Sequence, residues 1–293
     1  MTNKIEKTGK SYSFDSFGYL MCHQNESNIK EKYKQPLNDI VAMYVKFFGN
    51  NIHSIYVRGS VASGEAYDGV SDIDLLIVFK KFWEKSVINE FLYFNESLSV
   101  DINLSYPFIT KVDVLPRFLY ASEIVKVDYD TWINDCWSDG WVHSYRFTIK
   151  HHSICIYGFD LRKSIPRYNF GYVFSSDRRF NYKDNLKKSL TKIENKVIKN
   201  WNLISENEFL KKMIWISKRV VRFGNQLVYD NSDVYTRDLY PCYKLFSKYY
   251  PNKESKMKKV LEKAIYPKVN IDDLKEIVDF GYWLLNEMEL KEK

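Results

Sequence analysis

A Gly-Ser pair followed by two closely spaced aspartates is the feature of this 293-residue sequence that most restricts its fold. Gly59-Ser60 comes shortly after His53–Val57, which has the pattern of a short strand, and after eleven further residues Asp72-Ile73-Asp74 opens an apolar run that continues to Phe79. Side chains alternate between the two faces of a β-strand, so the two aspartates share one face while the isoleucine packs into the core. The pattern predicts two strands, a helical turn after the first, and a carboxylate pair where the second begins.

These residue types suit the binding of phosphate and of a metal ion. Glycine lets a backbone approach a phosphate closely, and the N–H and hydroxyl groups of Ser60 at the start of a helical turn suit an anion. Two neighbouring carboxylates repel each other unless a cation lies between them, and Mg²⁺ binds a few carboxylates together with phosphate oxygens. We therefore predict that Gly59 and Ser60 contact phosphate and that Asp72 and Asp74 bind Mg²⁺, although an ordinary strand-to-helix turn is the alternative. Ser71 either donates to the phosphate or caps the loop.

A third carboxylate is predicted from the run Leu98–Leu104. Apolar and polar residues alternate there, which is typical of a strand with one buried face. Asp101 falls on the polar face of this predicted strand. If the strand lies next to the one that carries Asp72 and Asp74, the three carboxylates complete one metal site. We therefore expect Asp101 to be both a metal ligand and a catalytic residue.

The remaining periodicity divides the chain into segments of different structural class. Residues 1–35 show little periodicity and are expected to form a lead-in, residues 36–170 mix strands with helices, and residues 178–293 are almost entirely helical. Turn signals separate the candidate helices of the last segment, which are 181–201, 206–229, 236–249, 253–265 and 271–289. The predicted fold class is α+β, with a mixed N-terminal domain followed by an all-helical C-terminal domain.

The net charge of +7 is concentrated in the helical segment. Residues 178–293 contain 25 Lys or Arg against 16 Asp or Glu, whereas residues 1–177 contain 19 against 21. This basic surface either meets phosphates or belongs to solvated, lysine-rich helices. The four cysteines are scattered, which favours a reducing cytosol over a zinc site. No stretch approaches the ~20 apolar residues of a membrane span and no signal peptide is apparent, so we expect a cytoplasmic protein.

Together these residues resemble the polymerase-β-type nucleotidyltransferase superfamily. The residues that carry the resemblance are Arg58-Gly59-Ser60, Ser71-Asp72-Ile73-Asp74-Leu75 and Ser99-Val100-Asp101-Ile102. The family pattern is a hydrophobic residue, Gly, Gly or Ser, a spacer of about nine to thirteen residues, then Asp, a hydrophobic residue, and Asp or Glu. Arg58 departs from this pattern, and its role as a phosphate or a structural contact is open. From about residue 36 onward the layout is similar to aminoglycoside adenylyltransferases of the streptomycin/spectinomycin type.

The resemblance implies a fold, cofactors and site residues. It implies a short mixed β-sheet with flanking helices in the N-terminal domain, two Mg²⁺ ions, and ATP as the nucleotide. In the helical domain it implies phosphate contacts for Arg222 and Arg237, with Arg219 as the rival of Arg222. Tyr266 is similar to a family tyrosine near the nucleotide. In the same scheme Asp101 helps to remove the proton from the acceptor hydroxyl.

We therefore predict an Mg²⁺-dependent adenylyltransferase that moves AMP from ATP to a hydroxyl of a small molecule and releases pyrophosphate. The acceptor is expected to be an aminoglycoside-type antibiotic, which would make the protein an antibiotic-resistance enzyme. One alternative is transfer to RNA or protein, which a basic, aromatic-rich helical part allows. Another is a non-catalytic nucleotide-binding regulatory module of the toxin–antitoxin type. A polycationic acceptor needs carboxylates, and the candidates are Asp128, Asp130, Asp135 and Asp139.

Overall fold

The computed structural model describes residues 5, 7–21, 24–81, 85–114, 119–125, 140–169 and 182–291. The chain forms two compact units, one of Met21–Tyr168 and one of Met1–Leu20 together with Asn169–Lys293. We call them the mixed unit and the helical unit. The predicted α+β fold class is confirmed, because a small mixed sheet with helices is accompanied by a helical C-terminal region. The predicted domain limits at 1–35, 36–170 and 178–293 remain predictions.

The mixed unit alternates helices with short strands. Its helices are α1 (Glu31–Phe48), α2 (Gly59–Ser63), α3 (Lys85–Ser105), α4 (Ala121–Val125) and α5 (Gly140–His152), with 3-10 turns at Glu26–Asn28, Gly49–Asn51 and Leu161–Lys163. Its strands are β1 (Ile52–Arg58), β2 (Ile73–Phe79), β3 (Val112–Val114), β4 (Leu119–Tyr120) and β5 (Ser153–Gly158). The two strands and the helical turn predicted around the Gly-Ser pair are therefore present.

The strands form one mixed sheet in the order β3-β2-β1-β5, with β4 also paired to β2. β1 runs antiparallel to β2 and β5, whereas β3 and β4 run parallel to β2. β1 and β2 are mostly buried, which explains why they read as continuous apolar runs. α1 and α3 contribute Tyr33, Ile40, Phe48 and Phe91 to the core that includes these strands. The polar residues at the end of β1 and the start of β2 interrupt this apolar surface.

The predicted strand Leu98–Leu104 is wrong, because this segment is the C-terminal part of helix α3. The alternation of apolar residues is misleading here. Leu98 and Ile102 are buried, whereas Val100 and Leu104 are 58% and 73% exposed. The buried pair is spaced four residues apart, which is the spacing of one helix face. The segment is therefore amphipathic with the period of a helix and not with that of a strand.

The helical unit consists of five main helices in the described residues. They are α6 (Tyr182–Ile193), α7 (Glu206–Gln226), α8 (Leu239–Tyr249), α9 (Glu254–Ile265) and α10 (Ile271–Lys291). A π-helical turn follows at Glu194–Ile198, and 3-10 turns lie at Trp201–Leu203, Tyr229–Asn231 and Pro251–Lys253. Each predicted helical segment overlaps one of these helices. Within the described part of the chain, no helix has the length and apolar character needed to cross a membrane.

Residues near the N-terminus form hydrogen bonds with the segment that precedes α8. The N–H of Tyr12 donates to the carbonyl of Tyr235 at 2.7 Å, and the N–H of Tyr235 donates back at 2.9 Å. The Thr236 hydroxyl donates to the carbonyl of Lys10 at 2.8 Å, and the N–H of Lys10 donates to the Asp238 carboxylate at 2.8 Å. Both tyrosine side chains are buried. This part of the predicted lead-in therefore has a defined place in the helical unit.

Candidate active site

The candidate site is assembled where β1 ends and β2 begins. In the strand register Arg58 is paired with Asp74, and Asp74 is paired in turn with Asp113 on β3. Residues opposite each other on neighbouring strands project to the same face, so the guanidinium and the two carboxylates form a row across the sheet. Asp72 lies two residues before Asp74 and adds a third carboxylate to this face. We call Asp72, Asp74 and Asp113 the carboxylate row.

Arg58 and Asp74 form an ion pair. The Nη2 atom of Arg58 lies 3.0 Å from Oδ1 of Asp74, and the two side chains are 23% and 24% exposed. The Nε atom of the arginine is buried and has no hydrogen-bond partner among the residues that the structure describes. Arg58, whose role the sequence leaves open, is thus a charge partner of Asp74 in the carboxylate row.

Lys111 supplies a second positive charge. Its Nζ atom lies 3.0 Å from Oδ1 of Asp113 and 3.7 Å from Oδ2 of Asp72, and the Thr110 hydroxyl donates to Oδ1 of Asp72. Partial burial lowers the pKa of Lys111, but the hydrogen bond and charge of Asp113, with the charges of Asp72 and Asp74, outweigh burial and raise that pKa above its ordinary value. The ammonium group therefore stays charged at neutral pH.

Gly59 lies where the backbone comes closest to the carboxylate row. Its φ is +69°, in the left-handed region that favours glycine. A Cβ atom at this position would collide with Oδ2 of Asp74. Glycine is therefore needed both for the turn after β1 and for the space beside the carboxylate. Ser60, the next residue, is partly exposed in α2, and its carbonyl accepts a hydrogen bond from the N–H of Glu65 at 2.8 Å.

Ser71 is buried and holds the loop before β2 together. Its hydroxyl oxygen accepts a hydrogen bond from the N–H of Tyr67 at 2.9 Å, and its own N–H donates to the Tyr67 carbonyl at 2.9 Å. These contacts agree with the alternative in which Ser71 caps the loop. A phosphate contact for Ser71 remains a prediction.

Asp101 is not part of the carboxylate row. It is an exposed residue of helix α3, so the strand position that the sequence analysis assigned to it is wrong. The carboxylate on the strand next to Asp74 is Asp113, which the sequence analysis missed. A signal for it exists, since Val112-Asp113-Val114 alternates apolar and polar residues. With three residues this alternation is too short to be preferred over the longer run Leu98–Leu104.

The carboxylate row has the chemistry of a site for a hard divalent cation. Carboxylate oxygens are the ligands that Mg²⁺ prefers, and Mg²⁺ takes its remaining ligands from water and substrate phosphates. Among the residues that the structure describes, no group of three or more His, Cys, Asp or Glu side chains is arranged to hold a metal ion. Here the carboxylates are instead paired with Arg58 and Lys111. The residues thus fit Mg²⁺ by donor type and strand position, with cations of the chain itself as their present partners.

The helical unit contains a cavity of about 320 Å³ with a cationic lining. Cationic, polar and aromatic side chains line it, and the residues are Asn185, Leu186, Trp215, Lys218, Arg219, Arg222, Phe223, Gln226, Tyr229, Thr236 and Arg237. No Asp or Glu is among these described residues. Its four cationic side chains, Lys218, Arg219, Arg222 and Arg237, make the cavity suitable for an anion.

Arg222 and Arg237, the predicted phosphate contacts, both line this cavity. The Nε of Arg222 donates to the carbonyl of Arg237 at 3.1 Å, which connects α7 to the segment before α8. Arg219 lines the cavity as well, and its guanidinium lies 4.4 Å from the centre of the Trp215 ring. Arg237 precedes α8, whose N-cap is Asp238, so the predicted start of this helix at residue 236 is too early.

Tyr266 is the C-cap residue of α9. Its N–H donates to the carbonyl of Glu262 at 2.7 Å. It is not among the described residues that line the cationic cavity. Its predicted position near a nucleotide therefore stays a prediction.

Part of the chain matches a known protein family, and the whole fold resembles a solved structure. Residues 39–127 match the protein family described as "Nucleotidyltransferase domain", and this range includes Gly59 and the whole carboxylate row. Similar solved structures include the crystal structure of the spectinomycin adenyltransferase AAD(9) from Enterococcus faecialis with ATP and spectinomycin. The two chains share 13% sequence identity with a TM-score of 0.53, over 87% of this chain and 98% of that chain. No curated protein matches the sequence.

Residues 39–127 thus carry a match to a nucleotidyltransferase domain, which agrees with the resemblance to polymerase-β-type nucleotidyltransferases. The protein is an enzyme that transfers nucleotides, and its fold resembles that of an aminoglycoside adenylyltransferase. The predicted resemblance and the predicted enzyme class are thereby confirmed.

Proposed function

We propose that the protein transfers AMP from ATP to a hydroxyl group of a small-molecule acceptor and releases pyrophosphate. The observation that carries this proposal is the carboxylate row beside Gly59, within the residues that match the nucleotidyltransferase domain. Mg²⁺ bound to the row would stabilise the negative charge that develops on the phosphates during transfer. The resemblance implies two ions, and three carboxylates together with triphosphate oxygens supply enough ligands for both.

The residues of the mixed unit have separate tasks in this proposal. Gly59 and Ser60 let the backbone approach the triphosphate, and Asp72 and Asp74 hold the metal. Asp113 lies next to Asp74 and takes the task first assigned to Asp101, which is to accept the proton of the acceptor hydroxyl. The acceptor oxygen then attacks the α-phosphorus, the bond from this phosphorus to the bridging oxygen breaks, and pyrophosphate leaves.

Arg222 and Arg237 are proposed to contact the phosphates of the nucleotide. Their support is the cationic cavity, which also includes Lys218 and Arg219. Fixed positive charge stabilises a triphosphate and the pyrophosphate that leaves it. Because both Arg219 and Arg222 line the cavity, we assign phosphate contacts to both instead of choosing between them. Tyr266 is retained as a nucleotide contact on the resemblance alone.

The acceptor is proposed to be an aminoglycoside-type molecule. The support is the fold similarity to a spectinomycin adenyltransferase that was crystallised with ATP and spectinomycin. The carboxylates that the sequence offers to a polycationic acceptor, Asp128, Asp130, Asp135 and Asp139, lie outside the described residues. Antibiotic resistance and a cytoplasmic location belong to the same proposal.

Acceptor-dependent release of pyrophosphate tests this function. The purified protein is mixed with Mg²⁺ and each nucleoside triphosphate, and then with spectinomycin, streptomycin, other aminoglycosides, RNA or protein. We expect release with ATP and a small-molecule acceptor, and EDTA should abolish it. Release with RNA or protein only would replace the small-molecule proposal. Nucleotide binding without release for any acceptor would instead support the regulatory module.

Isosteric variants test the assignment of the carboxylates. Asp72→Asn, Asp74→Asn and Asp113→Asn remove a charge with little change of shape, and each should lower the rate by about 100-fold or more. Asp101→Asn is the matched control, because it removes the same charge from an exposed position on α3. It should keep the wild-type rate. An active Asp113→Asn variant, or an inactive Asp101→Asn variant, would contradict the assignment.

A further inference from the structure

Arg58 places a positive charge at the point where the metal site needs negative charge. It ends β1 directly opposite Asp74, on the face of the sheet that carries the carboxylate row. Nη2 lies 3.0 Å from Oδ1 of Asp74, and about three quarters of each side chain is shielded from solvent. A metal ion that binds Asp74 would therefore share this carboxylate with a guanidinium.

The ion pair with Asp74 does not use the full hydrogen-bonding capacity of Arg58. A guanidinium carries five N–H donors in a fixed planar arrangement. The Nε atom is buried and finds no partner in the described part of the chain, and an unsatisfied buried donor is unfavourable. The group can therefore gain hydrogen bonds when a ligand with several acceptor oxygens arrives.

Lys111 weakens the attraction of the site for a free cation in the same way. It lies near Asp113 and Asp72, so each of the three carboxylates of the row has Arg58 or Lys111 as a neighbouring cation among the described residues. A free divalent ion that approaches the row meets two positive groups next to its ligands, which reduces its binding.

We propose that Arg58 is a counter-ion lock on Asp74, by which we mean a resident cation that competes with free divalent metal and yields to a metal–nucleotide complex. A triphosphate offers oxygens that an arginine binds bidentately, so Arg58 can exchange the carboxylate for a phosphate. Asp74 then becomes available to the metal. Metal and nucleotide should therefore bind cooperatively. The inference rests on the proposed function, because it takes the carboxylate row as the Mg²⁺ site.

Mn²⁺ binding tests the lock without any turnover. Mn²⁺ occupies the same oxygen sites as Mg²⁺, and the signal of the free ion in electron paramagnetic resonance reports its binding. The full-length protein is titrated with and without a non-hydrolysable ATP analogue. Without nucleotide, Arg58→Met should bind Mn²⁺ about tenfold more tightly than wild type, because a charged hydrogen-bond donor no longer competes for Asp74. With the analogue this gain should disappear, since the variant has lost a phosphate contact.

Three further variants make the result specific to Arg58. Arg58→Lys keeps the charge and should bind free Mn²⁺ as wild type does. Lys80→Met removes one positive charge from an exposed residue just beyond the far end of β2. At ~3.3 Å per residue it lies roughly 20 Å from Asp74, beyond the screening length of about 8 Å at 0.15 M salt, so Mn²⁺ affinity should not change. Arg58→Gln is a second neutral variant and should reproduce the gain if Arg58→Met does not fold, as judged by circular dichroism.

Two results would overturn the lock. One is an unchanged or weaker affinity for free Mn²⁺ in a folded neutral variant of Arg58. The other is an equal gain in Lys80→Met, which would reduce the effect to net charge. Failure of the proposed function would look different: wild type would bind no Mn²⁺ together with the analogue, or Asp72→Asn and Asp74→Asn would still release pyrophosphate.

Discussion

Asp74 is held between two neighbours that act on it in different ways. Arg58 neutralises its charge from the opposite strand, whereas the backbone of Gly59 leaves the space that its carboxylate occupies. The first effect is electrostatic and the second is steric. Both come from residues next to each other in the chain, at the point where β1 turns into α2.

We predict that Gly59→Ala lowers the transfer rate much more than Gly69→Ala does. The two glycines have almost the same φ, +69° and +67°, so both substitutions carry a similar left-handed strain of about 1–2 kcal/mol in the free energy of unfolding. An added Cβ meets Asp74 at Gly59 but finds nothing within 4 Å at Gly69. Gly59→Ala should therefore displace the carboxylate and reduce the rate by about 100-fold.

The measurement combines pyrophosphate release with urea unfolding of both glycine variants. Similar losses of stability with very different rates would support the close approach of Gly59 to Asp74. If the two variants lose activity equally, the space beside the carboxylate has no special role, and the left-handed turn alone explains the glycine.

At the scale of elements, similar sequence patterns form different structures in this chain. Apolar and polar residues alternate at Leu98–Leu104, which is the C-terminal part of helix α3. They also alternate over the shorter stretch Val112–Val114, which is strand β3. The first belongs to a helix of 21 residues, in which buried positions recur every three or four residues. The second pairs with β2, which provides the hydrogen-bonding partner that a strand needs. Local alternation alone therefore does not distinguish the two.

We predict that Leu98→Ala destabilises the protein much more than Leu104→Ala does. Leu98 is buried in α3 and its truncation should lower the free energy of unfolding by about 2–5 kcal/mol. Leu104 is largely exposed, so the same substitution there should change it by less than about 0.5 kcal/mol. In a strand the two residues would share one face and respond alike. Urea unfolding of both variants therefore tests helix α3 directly, and equal losses would favour the strand.

At the scale of the whole molecule, the carboxylate row and the cationic cavity belong to different units. The mixed unit carries the carboxylate row and the helical unit carries the cationic cavity. The uneven net charge of the sequence follows the same division, because the excess of Lys and Arg lies after residue 178. The basic helical surface thus includes at least one defined cavity, in addition to solvated lysines.

The helical unit also includes residues from the other end of the chain, and we predict that Tyr12→Ala destabilises it. Tyr12 is 2% exposed and bridges to Tyr235, whereas Phe17 is 81% exposed. Removal of the buried ring should lower the free energy of unfolding by about 3–5 kcal/mol. Phe17→Ala is the matched control and should change it by less than about 0.5 kcal/mol.

Hydrogen exchange at the backbone amide of Tyr235 gives a local measurement of the same effect. Its N–H donates to Tyr12, so protection there should fall in Tyr12→Ala and persist in Phe17→Ala. Equal protection in the two variants would mean that residues 1–20 are the loose lead-in expected from their weak periodicity.

Sequence patterns were sufficient where structure depends on neighbouring residues. The strands β1 and β2, the turn at Gly59-Ser60 and the five main helices of the helical unit follow from apolar periodicity and turn residues. The cations Arg222 and Arg237 follow from the family resemblance, and both line the cationic cavity. The prediction of a strand at Leu98–Leu104 is wrong because the same alternation also suits a helix in which only every fourth residue is buried.

The sequence by itself determined the enzyme class, through the motif around Gly59 and Asp74. It also predicted that Asp72 and Asp74 share a face, because residues two apart on a strand do so whatever surrounds them. Only the tertiary structure decided which groups accompany that pair. Asp113 and Arg58 become neighbours of Asp74 through the pairing of β3 and β1 with β2, and the register of such pairing depends on segments far apart in the chain. A local pattern therefore indicates the first two carboxylates, whereas the position of Asp113 and of Arg58 beside Asp74 depends on how the sheet is assembled.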